Sequence, residues 1–287
     1  MAPVFHIKSV ARRRGQQITF IWIAVVSLVC LGLLFVSCSR AEKRGDRPAP
    51  DGPSIYDDPK YAGWQFYECG QVKLFHPPLH LHEAEFPDRC TMYNRSITNI
   101  SEILGITRPW DTLVVFTYTG YGQGRELTGR LYPFAQDSII HFWVPSFVGP
   151  TLTDWMIPHW APGTPKYGFW RHGLRALFDF SGQNYHRGVY DLIEAGRFIP
   201  LDSLVRDTSI DSDTEREQSA EAASFIAYVL ADFGPATLRR AYSSKLIFNE
   251  MVIREFNRTT DSLQADWLAF AREYVPDSIW QSYKNVR

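Results

Sequence analysis

The chain has no excess of either charge. Its 30 basic residues face 31 acidic ones over 287 positions, a formal net charge of −1, and no long basic stripe interrupts it. Proteins that hold a phosphate backbone need such stripes, so nucleic acid is excluded as a partner. Internal repeats are absent. So is the apolar-poor composition of a disordered chain: hydrophobic residues make up 45% and charged residues 21%, an ordinary globular balance. Cysteines number only four. Acid is missing altogether from residues 1–37, which carry Lys8, Arg12, Arg13 and Arg14; beyond them 26 basic residues meet all 31 acidic ones, so the rest of the chain is mildly acidic. Aromatic residues are abundant, with 9 Trp, 14 Tyr and 19 Phe. They suit a well-filled core or an aromatic-lined groove.

Charge is also missing from residues 18–36. As a helix rising about 1.5 Å per residue, this run nearly spans a hydrocarbon layer of about 30 Å. The basic cluster before it stays on the cytosolic side, so everything after it is exported. The run ends Leu34-Phe35-Val36-Ser37-Cys38-Ser39, which resembles a bacterial lipobox. That resemblance implies lipidation of Cys38; Phe35 departs from the usual Leu, and an uncleaved signal anchor is the alternative. Either reading expects a cell-envelope protein held at a membrane. Residues 39–63, rich in Pro, Gly and charge at their start, read as a flexible linker, and residues 64–287 as the domain. Outside the cytosol, the remaining cysteines, Cys69 and Cys90, invite a disulfide worth about 3 kcal/mol, two buried free thiols being the alternative.

Within the domain, residues 70–75, 113–118 and 138–144 read as strands and 88–104 as a helix closed by Gly105. The Gly-rich 120–129 stretch reads as a hairpin or flap, since the Lys-Ser or Lys-Thr of a phosphate loop is missing. Residues 150–159 predict a short helix broken near Pro158. Further helices are expected over 169–180, 189–195 and 217–233, then two or three shorter ones, the last beginning near Asp261. The fold class is α+β: a sheet-bearing front followed by a helical back. His80-Leu81-His82-Glu83 reads as surface polar residues on an irregular loop.

Three stretches of the back half carry a resemblance. Phe169-Trp170-Arg171-His172-Gly173-Leu174-Arg175-Ala176-Leu177-Phe178 is similar to the helix bearing the third zinc ligand in gluzincin peptidases, the peptidase MA-like group. Residues 223–234, from Ala223-Ser224-Phe225 to Phe233-Gly234, resemble that group's Ser-Phe helix. Residues 256–267, ending in Asp266-Trp267, resemble its closing segment. The likeness covers roughly residues 70–275. It implies a zincin-like architecture, an N-terminal sheet lobe with helices and a C-terminal helical lobe.

The resemblance also implies a site that this sequence has mostly lost. The family binds zinc through His-Glu-x-x-His on one helix and Glu on the next, the first Glu activating the metal-bound water. Here the aligned segment is Trp155-Met156-Ile157-Pro158-His159. His159 stands in the second ligand position, Trp155 in the first, and Met156 in that of the general base, where a thioether cannot take a proton. His172 replaces the third ligand, and Ser219 occupies the position of a tyrosine that stabilises the oxyanion. Zinc is therefore an expectation only if His159 and His172 recruit a further group, with Asp154, His141 and His186 as candidates. Three functional readings follow. The first is a pseudopeptidase that uses a cleft around Trp155, Met156, Trp170 and Ser219 to bind an extended peptide or envelope protein, with residues 138–144 as the edge strand for strand addition. The second is a zinc metallopeptidase or other metallohydrolase with altered ligands. The third is a purely structural envelope lipoprotein. An aromatic-lined open groove separates the first from the third.

Overall fold

The computed structural model describes residues 55–107, 112–136, 139–143, 148–206 and 215–273. The expected anchor (1–38), Cys38 and the linker up to residue 54 lie outside them. Among the described residues no helix is long and apolar enough to cross a membrane.

Five strands form one mixed sheet in the order β1-β2-β3-β5-β4. β2 (Val72–His76), β3 (Leu113–Tyr118) and β5 (Ile139–Trp143) run parallel; β1 (Gln65–Cys69) and β4 (Phe134–Gln136) flank them antiparallel. The strand expected at the sheet edge over 138–144 is β5, and it is interior: β4 pairs with Ile139, Ile140 and His141 on its outer side. The three-residue β4 was not foreseen because it is too short to show an alternation. β1 escaped notice because one of its faces is exposed.

α1 (Phe86–Leu104) connects β2 to β3. Phe86, Cys90, Tyr93, Ile97, Ile100 and Leu104 recur at helical spacing and are all buried. It ends as expected at Gly105, whose positive φ of 65° lets Ile106 N–H reach the Ser101 carbonyl at 2.8 Å. A disulfide joins Cys69, at the end of β1, to Cys90 on α1, with Cα atoms 6.0 Å apart. Asn94 Nδ2 donates to the carbonyls of both cysteines.

Strand alternation gives the sheet two unlike faces. Leu74, Val115, Ile140 and Phe142 join the main core with the helices. Phe75, Phe116, Tyr118, Ile139 and Trp143 join a second, aromatic cluster with Tyr61, against which Tyr56 and Trp64 pack. Residues 55–63, which the sequence assigned to the linker, thus belong in part to the packed unit: Asp58 caps a 3-10 turn over Pro59–Tyr61 that seats the buried Tyr61 ring on the sheet. The Gly-rich segment is not a flap either. Tyr121–Thr128 is a helix, α2, and Gly124 is there because a Cβ would stand 2.6 Å from the Trp143 indole.

The back of the chain is helical: α3 (Val148–Trp160), α4 (Gly168–Leu177), α5 (Tyr185–Glu194), α6 (Leu201–Arg206), α7 (Glu215–Asp232), α8 (Gly234–Ser243), α9 (Phe248–Phe256) and α10 (Thr260–Glu273). α7 is central and packs on α4, α5, α8 and α10. Its Ala222, Ala223, Phe225, Ile226, Tyr228 and Val229 are buried nearly all round, as a helix enclosed by others requires. α4 approaches it closely because residue 173 is glycine; a Cβ there would lie 2.8 Å from the Ala222 carbonyl. α3 does not break at Pro158. The proline falls in the last turn, where the one bond it forfeits is to the Asp154 carbonyl. Trp160 just beyond it donates from Nε1 to the Leu104 carbonyl at 3.1 Å, tying α3 to the end of α1.

Candidate functional site

α3 and α4 pack side by side and carry the residues that the resemblance singled out. On α3, Leu152, Trp155, Met156 and Trp160 fall on one stripe, at i, i+3, i+4 and i+8, and that stripe is the core face. Trp155 is 3% exposed and Met156 0%. Trp170 on α4 is also 0% exposed, its indole against Phe169 and Phe225, and its Nε1 has no hydrogen-bond partner among the described residues. Ser219, on α7, is half-buried. The aromatic residues expected to line a cleft are thus part of the core, where they fill space.

His159 lies at the exposed end of the same helix. Its Nδ1 is 3.0 Å from the Trp155 carbonyl, one turn back, so Nδ1 carries the hydrogen and donates it; the ring leans on the Trp155 indole at 5.4 Å. His172 is half-buried on α4, its ring turned back toward Gly168 in the first turn of its own helix. Asp154 is claimed by two cations of α4: Arg171 Nε at 2.9 Å and Arg175 Nε at 3.5 Å. The Asp154 carboxylate in turn holds the Arg171 guanidinium above its ordinary pKa, and Tyr242 nearby is pushed up to about 12, chiefly by burial. This arrangement is an ion-pair clasp between α3 and α4.

The other two expected ligands lie elsewhere. His141 points to the far face of the sheet, away from α3, because the neighbouring residues Ile140 and Phe142 face the helices. His186, on α5, has Nδ1 2.9 Å from Ser224 Oγ and its ring edge-on to Phe270. Among the described residues no three His, Cys, Asp or Glu side chains come together as a group able to hold a metal ion.

Two polar clusters that the sequence did not reveal are built around these histidines. In the helical lobe, Ser224 Oγ accepts from Trp267 Nε1 at 3.0 Å and pairs with His186. A serine beside an imidazole has the makings of a nucleophile, but Ser224 is wholly buried and no substrate can reach it. It joins α5, α7 and α10. Burial lowers the His186 pKa to about 4, so the ring is neutral. In the sheet, Tyr61, Tyr118 and His141 form a chain: hydroxyl to hydroxyl at 3.2 Å, then hydroxyl to Nδ1 at 2.8 Å. Burial, with Arg130 and Lys60 nearby, lowers His141 to about 4, and burial raises Tyr118. The one available hint was that residues 116, 118, 139, 141 and 143 alternate on adjacent strands, which puts their side chains on one face.

His80, expected at the surface, is buried against Phe86; its Nδ1 accepts from His82 N–H at 3.0 Å, and burial lowers its pKa. His82 pairs with Glu85 at 2.7 Å. The two imidazoles are engaged separately.

Comparison of the chain with family models, with characterised proteins and with solved structures gives no match.

Proposed function

We propose that this is a membrane-anchored extracytoplasmic protein whose domain keeps a gluzincin-like shape without hydrolytic chemistry, and that it serves the cell envelope as a binding or structural component. The observation that carries the reading is a convergence. The three stretches that resemble the peptidase group, 169–178, 223–234 and 256–267, meet at one point: Phe169 and Trp170 lie 5.6 and 6.0 Å from Phe225, which is 5.4 Å from Trp267. Loss of hydrolysis follows from side-chain chemistry. Met156 at the base position is apolar and buried, and Asp154 is neutralised by two arginines.

The packing of Trp155, Met156 and Trp170 favours an envelope role in which the old cleft is closed. The interior position of β5 removes the strand-addition site first expected there, leaving β1 and β4 as the sheet edges. The export signal and the anchor, by lipid on Cys38 or by residues 18–36, complete the proposal. The test is metal content and peptidase activity of the full chain purified in detergent without added metal. Trace zinc and near-zero peptide hydrolysis are expected. Stoichiometric zinc that disappears in His159→Ala and in His172→Ala, with hydrolysis, would replace this reading with that of an active metallopeptidase.

A further inference from the structure

The far face of the sheet holds a pocket of about 230 Å³. Its exposed rim carries Lys60 and Arg130; its buried wall is His141 and Ile139, with Leu127 and Phe134 half-buried beside them. Among the described residues no acidic side chain lines it. Asp58 pairs with Lys60 Nζ at 3.1 Å, which offsets part of that lysine's charge. Arg130 is held in place: Nη2 donates to Gln136 Oε1 at 3.1 Å and the guanidinium lies 4.0 Å over the Phe134 ring. Phe134 in turn stacks on His141, centroids 4.5 Å apart and planes 13° off parallel.

His141 is 6% exposed. Its Nδ1 is engaged by the Tyr118 hydroxyl, whose orientation is set by Tyr61. Its Nε2 makes no hydrogen bond among the described residues, and the ring lines the pocket. When Tyr118 donates to Nδ1, the neutral ring keeps its hydrogen on Nε2, a donor on a ring that lines the cavity. Two cations and one such donor, with no acid among the described lining residues, repel a metal ion and leave a purely apolar guest mismatched. An oxyanion satisfies all three groups at once.

We propose that this pocket binds a small oxyanion, a carboxylate or a phosphate, carried on a short apolar stem that packs on Ile139 and Leu127. The site lies on the face of the sheet opposite α3 and α4 and does not depend on the peptidase reading. The test uses the full chain in detergent, titrated at neutral pH with inorganic phosphate and, separately, with butyrate, while the His141 imidazole is followed by NMR. Saturable movement of its resonances with either anion is expected, and the tighter of the two identifies the group. Arg130→Ala, on an exposed loop, should weaken that binding about tenfold or more, and Arg130→Lys should recover part of it. The proposal is overturned if neither anion moves His141 saturably, or if Arg130→Ala binds as tightly as the parent chain.

Discussion

The two faces of the sheet bury aromatic side chains to different ends. On the helical side, Trp170, Phe225 and Trp267 pack ring to ring, Trp155 joins the same core, and the polar Ser224, His186 and Trp267 Nε1 satisfy one another. On the far side, Tyr61, Phe75, Phe116 and Tyr118 are equally buried, but the chain His141–Tyr118–Tyr61 ends at an open pocket with two cations on its rim. On the helical side, Trp155, Met156 and Trp170, the positions that the resemblance singled out, are packed in the core. On the far side, the buried His141 ring lines the pocket.

The comparison breaks most visibly under truncation. Trp267→Ala removes a fully buried indole and one of the hydrogen bonds to Ser224, and should cost about 3–5 kcal/mol in denaturant unfolding. Trp64→Ala, a half-buried indole on the far face, should cost less, about 1.5–3 kcal/mol. Equal losses would mean that the two faces contribute alike to stability.

Acid tests both histidine clusters together. His141 and His186 each titrate near 4 in the folded chain against an ordinary 6.5. The unfolded chain therefore takes up protons first as pH falls. Stability from this source is complete above about pH 6.5 and erodes progressively down to about pH 4, by up to about 3 kcal/mol for each ring. His186, the more accessible of the two, contributes the smaller share. Urea unfolding across that range, beside NMR titration of the two imidazoles, checks the slope; a flat profile would show that the rings are not held neutral.

The smallest effects sharpen the difference in packing. Gly173→Ala drives a methyl toward the Ala222 carbonyl, which cannot move without α7, whereas Gly124→Ala first meets the Trp143 ring. Both should destabilise by about 1–3 kcal/mol, with Gly173→Ala at the upper end. The reverse order in thermal melts would mean that the helical side yields more readily than the sheet.

Local pattern was enough for the α+β class, for β3, for α1 and its Gly105 stop, and for the two-cysteine arithmetic that ends in the Cys69–Cys90 bond. Each rests on spacing within one segment: β-branched runs, a periodic apolar stripe, a residue free to take positive φ, an even cysteine count outside the cytosol. What spacing could not decide was anything that depends on which segment lies next to which. The three-residue β4 exists because β5 offers it a partner, and its presence moves β5 from the edge to the interior. α3 runs through Pro158 because the proline falls where only one bond is lost. Trp155 and Met156 fill the core instead of lining a cleft because their helical stripe meets α4 and the sheet. His141 and His186, each a candidate to complete a metal site with His159 and His172, lie on opposite sides of the sheet because strand alternation and helix packing sent them apart.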